Sequence, residues 1–145
     1  MTSPPVPAMT EQDAEHLRLL SIFHYIVGGM EGLVGCFPIF HFLFGAAVVF
    51  LPHKLGEAKD GPPPALLGWF FMLIAGTWMA LAWSLAVCLF IAGRSLTQRK
   101  RYVFCLVTAG VTAAMCMPFG TVLGVFTILV LARPAVKAAF EAGRA

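Results

Sequence analysis

Glu31 is the residue of this chain with the clearest chemical potential, because it is a lone carboxylate inside a long apolar run from Leu17 to Leu51. A charge at mid-membrane costs at least ~2.5 kcal/mol, so such groups face a bundle interior or a wet cavity. Glu31 can serve as a proton site, as a counter-charge for a substrate, or as a protonated carboxyl hydrogen-bonded to a neighbour. His24 precedes it by seven residues. At ~100° per residue that spacing returns to within about 20° of the same helix face, one rung roughly 10 Å away. The two share a stripe without touching, and Thr77, Thr108 and Thr112 are the candidate partners on facing helices. A proton wire is one reading. Polar glue that fixes helix packing is the preferred one.

The four histidines, His16, His24, His41 and His53, raise the question of metal or haem. Imidazole is the commonest metal ligand, but no pair here has the spacing of a local metal motif. His24 and His41 would lie roughly 25 Å apart on a straight helix and cannot share one iron unless the chain turns at Pro38. His16 and His53 read as boundary residues. Met115-Cys116-Met117, with Met72 and Met79, has the softness for Cu(I), yet thioethers in apolar helices are mostly gap-fillers. The chain has no nucleophile beside a base, no H-E-x-x-H, no phosphate loop and no paired carboxylates. We expect no catalytic residues, no metal and no cofactor.

The elements that must position these residues are three apolar runs, Leu17 to Leu51, Ala65 to Ala92 and Tyr102 to Ala132. A hydrophobic content of 59% with 12% charged residues departs from the roughly 25% charged content of soluble domains. The fold class expected is an all-α integral membrane protein, a compact bundle of three long helical segments. The first run alone would extend roughly 50 Å as a helix, against a hydrocarbon core of about 30 Å. Pro38 and Pro118 lie near the middles of the first and third runs and predict kinks or breaks there. For the first run, a long kinked helix and a hairpin turning at 35–38 both remain open. Gly28 and Gly32, with Gly35, and then Gly120 and Gly124, form small-residue spacings that let helices approach closely, and Gly76 and Ala80 add another that points to tight packing.

Residues 1–16 form a polar tail, residues 17–132 the membrane domain, and residues 133–145 a short C-terminal helix or tail. Thr10 before Glu11, Gln12 and Asp13 predicts an N-capped helix start with acidic groups complementing its dipole. Pro52 and the segment His53 to Pro64 read as a loop, and Gly68-Trp69-Phe70 as an interfacial aromatic cluster, with Trp78 and Trp83 deeper as packing residues. The second helix is expected to end near Gly93. The four cysteines all lie in apolar runs, so no disulfide framework is expected. Pro134 fits the first turn of a short amphipathic helix.

Arg94, Arg99, Lys100 and Arg101 crowd the 93–101 loop without an acid, which assigns that loop to the cytoplasm and not to nucleic acid. Three single crossings would then strand Arg133, Lys137 and Arg144 outside. Turning back at Pro118 brings them inside, but gives halves shorter than the ~17 residues of a minimal span. Turning back at Pro38 puts the acidic tail outside. The expectation is three long segments making three or four crossings.

His24-Tyr25, Gly28-Gly29, Gly68-Trp69-Phe70, the stretch from Met117 to Thr127 (MPFGTVLGVFT) and Arg133-Pro134 resemble a group of small uncharacterised bacterial membrane proteins. The resemblance covers most of the chain after residue 16. It implies the bacterial cytoplasmic (inner) membrane and no catalytic assignment. The function expected is that of a non-enzymatic multi-pass protein, an accessory or scaffold subunit that partners itself or other membrane subunits within the lipid bilayer. The alternative is a small oligomeric channel or transporter with a proton or cation path along Glu31 and His24. A haem- or quinone-binding anchor is the third class.

Overall fold

A computed structural model of the chain describes residues 9–51 and 64–142. The tail before Met9, Arg144 and the loop expected at His53 to Pro64, as far as residue 63, lie outside the described residues; Pro64 itself begins a helix. Among those described, 88% are helical and none is in a strand. The described residues form six helices: α1 (Glu11–Val34), α2 (Ile39–Phe50), α3 (Pro64–Gln98), α4 (Tyr102–Met115), α5 (Phe119–Leu131) and α6 (Pro134–Ala142). Two helical stretches, Glu11–Phe50 and Ala65–Gln98, are long and apolar enough to cross a membrane, or three if the bent pair α5–α6 is taken as one.

The chain divides into two compact units, one of residues up to 29 and from 85 onward, the other of residues 30–84. In the second unit, Pro38 bends the first run without reversing it. The turn at 35–38 keeps helical sense through short bonds, Cys36 N–H to Leu33 O (3.0 Å), Phe37 N–H to Val34 O (3.0 Å) and Ile39 N–H to Cys36 O (3.1 Å). The first run is therefore the kinked helix of the two readings. Its glycines are spent on close approach to α3. A Cβ on Gly35 would lie 2.9 Å from Ala82 Cβ, and one on Gly45 2.6 Å from Gly68 O. Gly76 makes only ordinary contact with Phe42, at 3.5 Å, so the Gly76–Ala80 spacing is not one of the tight crossings. Trp78 is 59% exposed and Trp83 47%, so both face outward instead of filling a core. The edge of the Trp83 ring nevertheless packs over Gly35.

The first unit holds the main core, where Leu17, Leu96, Cys105, Leu131, Val136 and Phe140 are buried together. Here Pro118 does what Pro38 does not. Helices α4 and α5, of 14 and 13 residues, lie against each other in opposite directions. The Tyr102 hydroxyl donates to Leu131 O at 3.1 Å, and Thr121 Oγ1 to Ala113 O at 2.8 Å, so the first residue of α4 meets the last of α5. Gly120 packs on Thr112, and Gly124 on Ala109 and Ala113, so closely that a Cβ at either would overlap backbone. The third run is thus a helical hairpin, not a third through-going segment, and its second small-residue pair is consumed within this chain.

Helix α3 also departs from expectation, continuing past Gly93 to Gln98. Gly93 is an approach point: a Cβ there would sit 3.2 Å from Ser21 O. The real stop is at Arg99, whose φ of 54° is left-handed. Arg99 N–H bonds to Leu96 O (3.3 Å) and Lys100 N–H to Ser95 O (2.9 Å). That pairing satisfies the last carbonyls of α3 as a Schellman cap, with arginine in the place glycine usually takes. After α5 the chain bends by 77° into α6, which buries Val136 and Phe140 in the core and exposes Lys137 and Glu141.

Candidate functional site

On α1, Ser21, His24 and Gly28 recur at intervals of three and four and are buried on one face. Ser21 Oγ donates to Gly93 O (2.8 Å), and Thr97 Oγ1 donates to Ser21 Oγ (2.9 Å). This small network exists because Gly93 and Gly28 let α1 and α3 come close.

His24 is 0% exposed, and its Nδ1 lies 2.8 Å from Leu20 O. A carbonyl only accepts, so the proton is on Nδ1, and the neutral ring presents Nε2 as a lone pair. That nitrogen is buried and has no hydrogen-bond partner among the described residues. It is an acceptor waiting for a donor.

Of the threonines expected to serve it, Thr112 donates its hydroxyl to Thr108 O (2.7 Å). Thr127, a buried threonine not singled out in sequence, donates likewise to Leu123 O (2.7 Å). A helical hydroxyl reaches its own carbonyl four residues back, which spends its single hydrogen locally. Thr77 is exposed in the other unit.

Glu31 belongs to the second unit and is half-buried, with its backbone carbonyl accepting Gly35 N–H at 2.8 Å. Gly32, half-buried beside it, accepts Cys36 Sγ–H through its carbonyl at 3.3 Å. His41 is exposed, its ring centroid 6.3 Å from both Phe37 and Phe71. Of the three polar residues singled out by sequence, His24 thus falls in one unit, and Glu31 and His41 in the other. Among the described residues, no group of three or more His, Cys, Asp or Glu is placed to hold a metal ion.

The chain matches no family model, no curated protein and no solved structure. Its chemistry is read from its own geometry.

The first unit also carries a polar end that the sequence did not disclose. Arg133 Nη1 donates to Asp13 Oδ1 at 2.8 Å, joining residues 120 positions apart. Asp13 is fixed from its other side by the helix start. Thr10 Oγ1 donates to Asp13 Oδ2 (2.8 Å) and accepts Asp13 N–H (3.2 Å), a capping box with aspartate at its third position. Asp13 lies ahead of Leu17, where the apolar run begins, and the Arg133 hydrogen bond, then Thr10, hold its carboxyl below the usual value of 3.8. Arg94, Arg99, Lys100 and Arg101 are all exposed in this unit.

Proposed function

We propose that the chain is a non-enzymatic integral membrane protein with two crossings, α1–α2 and α3, and a hairpin, α4–α5, that enters and leaves by one face. It serves as an accessory or scaffold subunit. The outward surface supports membrane residence, with Leu33 76%, Phe40 75%, Leu73 65% and Met117 80% exposed. Large apolar side chains exposed in such number suit a lipid surface better than water. The hairpin arms, about 20 Å each, are too short for a hydrocarbon core of about 30 Å. Folding back also returns Arg133 and Lys137 to the side of Arg94, Arg99, Lys100 and Arg101, which agrees with the positive-inside rule. The membrane is the bacterial cytoplasmic one by resemblance, with the 93–101 turn inside.

The observation that carries the scaffold reading is the sealing of the polar interior. His24, Thr112 and Thr127 are each 0% exposed, whereas a conducting path presents its polar groups to water. Gly29 and Gly110, where an added Cβ would meet nothing within 4 Å, leave room for a neighbouring backbone. Single cysteines, Lys100→Cys and Lys137→Cys, in a background without the four native ones, test the topology with a membrane-impermeant maleimide. Both should label from the same side; labelling from opposite sides overturns the hairpin reading. In mild detergent the protein should emerge as a defined oligomer or within a larger complex, and a partnerless monomer counts against a scaffold.

A small channel or transporter is the second reading, favoured by the fold-back at Pro118. Helix ends at membrane depth occur where they are buried in protein or line a wet cavity. Flux in proteoliposomes that is lost in Glu31→Gln would establish it.

A further inference from the structure

Beyond the core of the first unit lies a cleft of about 300 Å³, lined by Tyr102, Val103, Lys137, Phe140 and Glu141. Its walls are of two kinds. Tyr102, Val103 and Phe140 supply apolar surface, and the rings of Tyr102 and Phe140 hold each other edge to face at 5.8 Å. Tyr102 is also anchored by its hydroxyl on Leu131 O, so this wall is fixed at both ends. The other wall is the exposed face of α6, with Lys137 and Glu141 four residues apart and so about 5–6 Å apart at their Cβ atoms. No ion pair joins them among the described residues, where the pair that does form is Arg133 with Asp13. A cation and a carboxylate thus stand side by side, unneutralised by each other, over an apolar floor.

We propose that this cleft binds a phospholipid with a primary-amine headgroup, the phosphoethanolamine type. The inference rests on the membrane reading above. The phosphodiester oxygens accept from the Lys137 ammonium. The headgroup ammonium, two carbons further on, donates to the Glu141 carboxylate. The glycerol and first acyl carbons lie against Val103 and the Tyr102 and Phe140 rings. Position agrees with this, since Tyr102 opens the third apolar run and tyrosine favours the headgroup level. The adjacent Arg99, Lys100 and Arg101 attract phosphate in general, and Glu141 supplies the selectivity. A choline headgroup has no N–H to donate to it. A glycerol headgroup brings a phosphate with no compensating cation, so Glu141 repels it.

The test reconstitutes the protein in vesicles of equimolar phosphatidylethanolamine, phosphatidylcholine and phosphatidylglycerol, extracts it in mild detergent and quantifies the retained lipid by mass spectrometry. One added charge-assisted hydrogen bond predicts about tenfold enrichment of phosphatidylethanolamine over phosphatidylcholine. Glu141→Gln should bring these two to parity, and Lys137→Gln should lower retention of all three. Both side chains are exposed, and an unchanged helical melting curve verifies that the variants fold. Equal retention of the three lipids, a preference for phosphatidylglycerol, or an enrichment that survives Glu141→Gln overturns the proposal. Alkaline extraction separates the two readings: a protein that stays with the membrane but shows no headgroup preference fails here alone, and one released from it fails the membrane reading.

Discussion

The hydroxyl of Tyr102 and the carbonyl of Leu131 meet at 3.1 Å, although they stand near opposite ends of one apolar run. The bond closes the hairpin at its open end, as Gly120 and Gly124 close it near the turn. It also fixes the base on which α6 packs, because the Tyr102 ring lies against Phe140.

Removing that hydroxyl while keeping the ring isolates the bond. Tyr102→Phe should lower unfolding stability in detergent by about 1 kcal/mol, and Tyr102→Ala by more, since the ring contact is lost too. A Tyr102→Phe protein as stable as the native chain would show that the hydroxyl contributes nothing.

Two glycines separate close approach from mere smallness. Gly124→Ala forces a Cβ against the Ala109 carbonyl and to 2.7 Å from Ala113 Cβ, and should cost about 1–3 kcal/mol. Gly110→Ala meets nothing within 4 Å and should stabilise α4 by roughly 0.5–1 kcal/mol. Thermal melts of both proteins check the contrast, which fails if the two variants shift together.

His24 tests whether its unpartnered nitrogen matters. Replacing a buried group of unmet hydrogen-bonding capacity by an apolar one of similar size is nearly neutral or stabilising. His24→Leu should therefore melt at or above the temperature of the native chain. A loss of more than about 2 kcal/mol would mean that Nε2 has a donor in the folded protein, and would revive the polar-path reading.

Asp13 sets a pH dependence with a definite sign. Its carboxyl is held below 3.8 in the folded chain, chiefly by Arg133. The unfolded state then binds the proton more readily, so the ion pair stabilises the fold above about pH 4 and is lost as pH falls through the lower folded value. Acid melts should show a shallower acid limb for Asp13→Asn than for the native chain. Parallel curves would remove the pair from the account.

Much of this architecture is legible in sequence, and its limits are physical. The helices, the cap at Thr10 and the small-residue approaches at Gly28 and Gly120 follow from local rules. Pro38 and Pro118 look alike in sequence, yet one bends the chain and the other reverses it. What differs is the following face. Gly120 and Gly124 let α5 close onto Ala109 and Ala113, whereas after Pro38 the close approach is that of Gly45 to Gly68 on α3. Gly93 illustrates the same difficulty. A glycine serves equally as a helix stop or as a packing notch, and only the presence of Ser21 opposite decides. The Asp13–Arg133 pair has no signal at all, because 120 residues separate its members. Nor does spacing reveal that the Thr112 and Thr127 hydroxyls are spent on carbonyls of their own helices.

The fold-back at Pro118 bears finally on how the chain would enter a membrane under the proposed topology. In the proposed topology, residues 52–63 are the polar segment that must be carried to the far side. They hold Lys54 and Lys59 against Glu57 and Asp60, a formal charge of zero. Each elementary charge moved through 100 mV involves about 2.3 kcal/mol of electrical work, and here the contributions cancel. In that topology Arg18, Arg94, the Arg99–Arg101 turn, Arg133 and Lys137 would stay where the ribosome leaves them, so insertion would proceed without working against the membrane potential.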